Sequence, residues 1–177
     1  GPINIAKKNI EEYGLLDNIE TRIGNGIDTI KENEEDVIII AGMGGIIIKD
    51  ILEKGIEKAK KANALILQPM YAIEVVHEWL CGNGFEVYDE KLVREEHKIY
   101  DVIAAKWTGE IKRKDVLYYH IGEKLFEKKD PLLKLHIQNK IKQLDKIINE
   151  MENMKKRDSK KRKEYINLKE KYEKALT

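Results

Sequence analysis

The stretch Asp36-Val-Ile-Ile-Ile-Ala-Gly-Met-Gly-Gly45 decides the fold. Its four consecutive β-branched residues predict a buried strand, because strands covered on both faces in a parallel sheet read as unbroken apolar runs. Ligands of open α/β sheets bind outside the carboxyl ends of the strands. Glycines at 42, 44 and 45 would let backbone approach a ligand where a Cβ would collide. The stretch therefore predicts a ligand-facing strand end in an α/β fold.

A second strand end, Ala64-Leu-Ile-Leu-Gln-Pro69, stops in the same manner, so two neighbouring ends outline a cleft. Apolar runs and glycines elsewhere predict strands that alternate with helices, which is typical of βα units and a parallel sheet. Two further strand-like runs have no helix between them and should pair antiparallel. The predicted strands cover residues 19–23, 37–41, 65–67, 85–93 and 99–107, and the predicted helices cover residues 3–13, 27–32, 45–55 and 73–80.

The charge is distributed unevenly along the 177 residues. Residues 1–111 hold 13 Lys and Arg against 21 Asp and Glu, a balance of −8, whereas residues 112–177 hold 20 against 11, a balance of +9. An acidic body joined to a basic tail suggests a polyanionic partner. We therefore expect two domains, 1–111 and 112–177.

Several function classes are disfavoured by what the chain contains. Cys81 is the single cysteine, which excludes an internal disulfide and a cysteine-based metal cluster. The four histidines have no spacing that suggests metal ligation or a catalytic triad, so we expect them to be surface or structural residues. No apolar run approaches the roughly 18 residues of a membrane span, and no signal sequence opens the chain. We expect a cytoplasmic protein without a membrane or metal partner.

The tail reads as an antiparallel pair of helices in a coiled-coil hairpin. Asp130-Pro131 is a strong helix start. A recurring apolar seam on one face is followed by a second amphipathic segment, and both are consistent with two packed helices. The seam consists of Leu133, Ile137, Ile141, Leu144, Ile148 and Met151, and the second segment contributes Tyr165, Leu168, Tyr172 and Ala175.

Seven of the nine residues between these helices, at positions 155–163, are basic. Lysine and arginine release condensed counterions when they meet a nucleic acid backbone, which gives affinity without sequence recognition. A solvated turn is the alternative interpretation of such a run. We predict RNA contact through Lys155, Lys156, Arg157, Lys160, Lys161, Arg162 and Lys163.

Seven motifs together resemble one family. They are Gly1-Pro-Ile-Asn-Ile-Ala-Lys-Lys-Asn9, Gly24-Asn-Gly26, Ile40-Ala-Gly-Met-Gly-Gly45, Leu65-Ile-Leu-Gln-Pro69, Trp79-Leu80, Gly84-Phe85 and Tyr100-Asp-Val-Ile103. The chain resembles, over nearly all of residues 1–176, the TrmK family of bacterial tRNA adenine N1-methyltransferases. The resemblance implies a Rossmann-like class I methyltransferase sheet that ends in an antiparallel hairpin. It also implies S-adenosylmethionine as methyl donor and N1 of adenine 22 in the tRNA D arm as acceptor.

One departure from the family is large. Its members begin with a strand and an acidic glycine-containing loop that hold the donor's methionine part, followed by a helix and a second strand whose acidic end holds the ribose. Both strands would precede Gly1. We therefore expect an N-terminally truncated sheet that lacks its first strands, and a fragment that is inactive alone although the full-length protein is active.

The resemblance also suggests site residues. Asn25 is placed to meet the donor's adenine with Gly26, although its alternative role is to tolerate a left-handed turn. Ala41, Gly42, Met43 and Gly44 should line the donor site, and Gly42 and Met43 should also face the target base. Met43 could equally pack in the core.

The second strand end should complete the catalytic side. Gln68 and Pro69 could meet the flipped base, and Tyr71 is the nearest aromatic residue that could stack on it. Proline after a strand can also simply end the strand and begin a helix. Adenine N1 is already a nucleophile, so alignment with the methyl group should carry the catalysis without a general base.

Three functions remain open at this stage. The first is tRNA methylation, and the second is a non-catalytic module for RNA binding or coiled-coil interaction. The third, another Rossmann-like enzyme that uses a dinucleotide, is disfavoured because no Gly-x-Gly-x-x-Gly follows a first strand. The sequence does not predict the oligomeric state.

Overall fold

The computed structural model describes residues 1–34, 36–153 and 159–176. Four strands and eight α-helices lie in these ranges, with one 3₁₀ turn at Gly26–Thr29. The strands are β1 (Val37–Met43), β2 (Ala64–Pro69), β3 (Phe85–Glu95) and β4 (Lys98–Trp107). The helices are α1 (Pro2–Glu12), α2 (Gly45–Lys54), α3 (Ile56–Lys61), α4 (Ile73–Gly82), α5 (Val116–Ile121), α6 (Glu123–Glu127), α7 (Leu133–Asn153) and α8 (Ser159–Lys174).

The strands form one sheet in the order β1-β2-β4-β3. β1 and β2 are parallel, whereas β4 is antiparallel to both β2 and β3. The predicted parallel pair and the predicted closing hairpin are therefore both confirmed. Because β1 and β2 run in the same direction, their carboxyl ends meet at one edge of the sheet.

Helices α2 and α4 cover one face of this sheet. The largest buried cluster lies there, because alternate strand residues point towards the two helices. Within the described ranges the opposite face of β1 stays open, with Val37 54% and Ile39 68% exposed. The expectation of a strand buried on both faces is therefore wrong for β1. The core includes Ile38, Ile40, Ile48, Leu52, Leu65, Leu67, Val76, Leu80, Phe85 and Ile103.

Residues 19–23 do not form the predicted strand. A strand needs a neighbour to accept and donate its backbone hydrogen bonds, and the described sheet contains only β1 to β4. The Ile19 N–H instead donates to the Leu15 carbonyl in a local turn, and Ile23 is 83% exposed. The brief helix expected at 27–32 is the shorter 3₁₀ turn at Gly26–Thr29.

The C-terminal helices form the predicted antiparallel pair. Lys169 on α8 pairs with Asp145 on α7 at 2.6 Å. Arg162 on α8 pairs with Glu152 on α7, closer to the segment that connects the two helices. The second pair lies between the two residues of the first pair in the sequence, and this nesting requires antiparallel helices. Most of the predicted seam is buried or packed in a second cluster, which also contains Leu92 of β3. The tail is thereby attached to the β3–β4 hairpin.

Asp130 precedes α7 as predicted, although the helix itself begins at Leu133. One carboxylate oxygen of Asp130 accepts from the Leu132 N–H at 2.8 Å, which satisfies a donor near the helix start. The other accepts from the Leu92 N–H at 3.3 Å. Asp130 therefore caps the helix and ties it to β3. No helix in the described ranges is both long and apolar enough to cross a membrane.

Candidate functional site

The carboxyl ends of β1 and β2 are joined into one surface, which we call the strand-end floor and define as residues 41–45 and 68–72. The Met70 N–H donates to the Met43 carbonyl at 2.8 Å. The Gly45 N–H donates to the Tyr71 carbonyl, also at 2.8 Å. These bonds continue the pairing of the two strands past the end of the sheet. The predicted juxtaposition of the two strand ends is therefore present.

Gln68 adds a third connection across the floor. Its Oε1 accepts from the Gly42 N–H at 2.8 Å, and its Nε2 donates to the Pro69 carbonyl at 3.3 Å. The register of β1 against β2 shifts between Ala41 and Met43, so Gly42 forms a bulge with φ +74°. The Gln68 amide, predicted to face the base, is thus engaged with the protein's own backbone and holds the bulge.

The glycines of the floor have different roles. A Cβ on Gly44 would lie 2.4 to 2.6 Å from the Tyr71 ring, and a Cβ on Gly45 would lie 2.1 Å from the Ala72 carbonyl oxygen. Gly45 requires glycine because the backbone of the β2–α4 loop packs directly on it, whereas at Gly44 the obstacle is the end of the exposed Tyr71 side chain. A Cβ on Gly42 would meet nothing within 4 Å. Within the described structure, Gly42 is the floor glycine that opens to free space.

The loop after β2 carries backbone strain. Ala72 has φ 54° and ψ 45°, a left-handed conformation that L-residues with a Cβ seldom adopt. It immediately precedes α4, and Tyr71 beside it is 64% exposed. Strained residues of this kind persist where the surroundings over-determine them, and they cluster at functional sites.

Asn25 lies in a turn that packs on α2 rather than on the floor. Gly26 takes the left-handed conformation with φ +61°, whereas Asn25 is extended, so tolerance of a left-handed turn does not explain the asparagine. A Cβ on Gly26 would meet Ile51 at 2.6 Å, and Ile51 is about 9 Å along α2 from Gly45. The exposed Asn25 amide makes no side-chain hydrogen bond within the described ranges.

A cavity of about 620 Å³ opens at the same edge of the sheet. Its size is within the range of small-ligand sites. Apart from Gln68, its lining was not predicted, although the predicted hairpin pairs Val93 with Tyr100 and could have indicated it. The lining residues are Gln68, Met70, Val93, Arg94, Glu95, Tyr100 and Val102.

Buried polar contacts hold the sheet to the tail. His77 Nε2 lies 2.8 Å from Glu90 Oε1, and its Nδ1 lies 2.7 Å from the Tyr119 carbonyl. The other Glu90 oxygen accepts from the Lys124 N–H at 2.9 Å. Both His77 and Glu90 are buried. The prediction that His77 is structural agrees with these contacts.

A second pair, of buried His136 and partly buried Asp101, joins β4 to α7. His136 Nε2 lies 3.2 Å from Asp101 Oδ1. Burial by itself would raise the pKa of Asp101, but the adjacent His136 together with Lys140 and His77 outweighs it and holds that pKa below its usual value. Burial raises the pKa of the Cys81 thiol, which fits an unreactive core residue. In the parts of the chain that the structure describes, no group of three or more His, Cys, Asp or Glu could hold a metal ion.

The basic segment is described only in part. Lys155, Lys156 and Arg157 lie outside the described residues. Positions 160–163 form the first turn and a half of α8, where Lys160, Lys161 and Lys163 are exposed and Arg162 is half-buried against Glu152. Lys161 Nζ lies 5.9 Å from the centre of the Tyr165 ring. The lysines therefore face outwards while Arg162 holds the hairpin together.

Comparison with known proteins places this geometry in a family. The sequence model described as "TrmK: tRNA (adenine(22)-N(1))-methyltransferase" matches residues 1–175. The chain belongs to the TrmK family. A curated relative of that function from Bacillus subtilis (strain 168) is 41% identical over 106 residues, which is 60% of this chain and 44% of the relative. The matched segment thus covers less than half the length of that relative.

Solved structures of TrmK proteins share the fold. The structure of B. subtilis TrmK is 29% identical with a TM-score of 0.85, and the match covers all of this chain and 78% of that one. Streptococcus pneumoniae Sp1610, solved in complex with S-adenosyl-L-methionine, is 28% identical with a TM-score of 0.85 and is matched over 77% of its length. The predicted Rossmann-like class with C-terminal helices is therefore confirmed.

Proposed function

We propose that this TrmK protein transfers a methyl group from S-adenosylmethionine to N1 of adenine 22 in tRNA. The observation that carries the proposal is the strand-end floor, which three hydrogen bonds fix in place and which opens to free space at Gly42. Family membership supplies the reaction class. A tRNA substrate would place the reaction in the cytoplasm.

The residues present fit a methyl donor. Gly42 offers backbone without a Cβ at an open position, and the exposed Asn25 amide can both donate to and accept from the edge of an adenine. We propose that Asn25 and Gly26 contact the donor's adenine and that Ala41, Gly42, Met43 and Gly44 contact the rest of the donor. The bound donor supplies an electrophilic methyl group on a sulfonium.

The floor is suited to alignment rather than to acid–base chemistry. Residues 41–45 and 68–72 contain no carboxylate, histidine or lysine. Adenine N1 has a lone pair and needs no prior deprotonation, so holding it in line with the methyl group is the main task of the site. Gln68, Pro69 and the backbone at Gly42 and Met43 would provide that rigid surface.

The tail is proposed to hold the tRNA backbone. Its balance of +9 and the exposed lysines at the start of α8 support phosphate contact. Glutamine at positions 160, 161, 162 and 163 should weaken tRNA binding and reduce the slope of log K against log salt by up to about 3. A quadruple variant of the acidic body is the matched control and should keep the slope. It carries glutamine in place of Lys7, Lys8, Lys31 and Lys54.

Transfer of a labelled methyl group to tRNA tests the proposed function. The assay should be run on residues 1–177 and on a form extended at the N-terminus to the length of the solved relatives, called the extended form below. Label in tRNA with either protein supports the proposal. If neither form transfers label while both still bind tRNA, the chain is an RNA-binding module and the enzymatic proposal is wrong.

A further inference from the structure

Tyr71 is an aromatic residue that the fold holds at the surface. It lies in the loop between β2 and α4, and it is 64% exposed although its ring is large and apolar. The tip of the ring lies against Gly44, where a Cβ would come within 2.6 Å of two ring carbons and the hydroxyl oxygen. The ring thus rests on bare backbone while much of its surface faces solvent.

The backbone on either side of this ring is constrained. The Tyr71 carbonyl accepts from the Gly45 N–H at 2.8 Å. Ala72 follows in a left-handed conformation with φ 54°, which is strained in a residue with a Cβ. Packing of an exposed side chain does not require such strain. The left-handed conformation of Ala72 fixes the position in which the loop holds the Tyr71 ring.

The surroundings of the ring are open and apolar. Met43 and Met70 are 40% and 45% exposed on the same floor, and Gly42, two residues from Gly44, opens to free space. The cavity beyond Met70 is lined largely by apolar side chains. A flat apolar group such as a nucleobase can occupy this space with one face against the ring.

We infer that Tyr71 is the platform on which the acceptor adenine stacks during methyl transfer. This inference rests on the proposed function. A base that reacts at a ring nitrogen must leave the helical stack, and enzymes hold such bases between aromatic and apolar side chains. Stacking on the Tyr71 ring would replace the lost stacking and position the adenine above the floor.

The test uses three substitutions in the extended form. Tyr71→Phe keeps the ring, and Tyr71→Leu replaces it with an aliphatic side chain. Tyr88→Leu removes a 40% exposed tyrosine on β3, the outer strand opposite β1, as a control. Tyr71→Leu should lower kcat/KM for tRNA roughly tenfold. Tyr71→Phe and Tyr88→Leu should stay within about twofold of the wild type, since each retains the platform. Calorimetric donor affinity should be unchanged in all three.

A base analogue separates stacking from a general loss of structure. With 2-aminopurine at position 22, binding should quench fluorescence more in the wild type and Tyr71→Phe than in Tyr71→Leu. The inference is overturned if Tyr71→Leu behaves like Tyr88→Leu, or if Tyr71→Phe loses as much activity as Tyr71→Leu. Absence of transfer by the wild type would end the proposed function and this inference together. Transfer that is indifferent to residue 71 would overturn the inference alone.

Discussion

Gly45 is the position where adding one methyl group should damage the floor most. Alanine at 45 would place its Cβ 2.1 Å from the Ala72 carbonyl oxygen and 2.8 Å from the Ala72 carbonyl carbon. Ordinary contact begins at 3.4 Å, so the β1–α2 loop and the β2–α4 loop must separate by about 1.3 Å. The obstacle is backbone in a strained conformation, and no side-chain rotation can remove it.

The loss of stability in Gly45→Ala has two sources. Overpacking of this kind costs about 1–3 kcal/mol. The separation would also break the hydrogen bond from the Gly45 N–H to the Tyr71 carbonyl, which contributes about 1 kcal/mol. Alanine recovers part of this loss because it favours the helix that Gly45 begins. We expect Gly45→Ala to lower the free energy of unfolding by about 2–3 kcal/mol.

Two other glycines are matched controls. Alanine should lower the free energy of unfolding at one of them and raise it at the other. Gly42→Ala meets no atom within 4 Å but must keep φ +74°, so it should cost about 1 kcal/mol. Gly82→Ala, at the exposed end of α4, meets nothing within 4 Å and has no positive φ. It should stabilise the protein by about 0.5 kcal/mol.

Urea unfolding of the three variants beside the wild type measures these free energies, with the midpoint shifting at an unchanged slope. The predicted order of stability is Gly82→Ala, wild type, Gly42→Ala and Gly45→Ala. If Gly45→Ala is as stable as Gly42→Ala, Gly45 does not pack against the Ala72 backbone as described.

Three further predictions concern polar contacts. Gln68→Leu should cost about 1 kcal/mol by urea unfolding because the Gly42 N–H loses its acceptor, whereas Gln68→Glu should retain most of the stability; equal losses would show that this bond is unimportant. Glu90→Ala should cost about 3 kcal/mol by leaving His77 buried without its partner, and a loss below about 1 kcal/mol would contradict the buried pairing. Because the pKa of Asp101 is lowered on folding, its contribution is present above the unfolded pKa of about 3.9 and disappears as pH falls through the folded value. The stability difference between wild type and Asp101→Asn should therefore be constant from about pH 7 to 5 and shrink below about pH 4. A difference that does not shrink at all between about pH 4 and pH 3 would show that the carboxylate charge is not responsible.

The regular elements could be predicted where local pattern and final packing agree. Alternate residues of the β1 and β2 runs lie in the core, and Ile137, Leu144 and Ile148 on the predicted seam are buried. Residues 19–23 carry a similar local pattern but lack a neighbouring strand in the described sheet. Helices α3, α5 and α6 were not predicted because five or six residues show too little periodicity.

The site was predictable in location but not in detail. Glycines after β1 and the Gln-Pro end of β2 indicated the correct edge of the sheet. The bond between Gln68 and the Gly42 N–H joins positions 26 residues apart, and local sequence carries no signal for it. Nor could the sequence show that Gly44 lies against the Tyr71 side chain and Gly45 against the Ala72 backbone.

The decisive measurement is the methylation of a matched pair of tRNAs by the extended form. The two transcripts should differ only at position 22, adenine in one and guanine in the other, and the product nucleosides should be identified by mass spectrometry after digestion. We expect 1-methyladenosine, dependent on S-adenosylmethionine, from the first tRNA and none from the second. Equal methylation of both tRNAs, or a methyl group on a different atom, would contradict the proposed function.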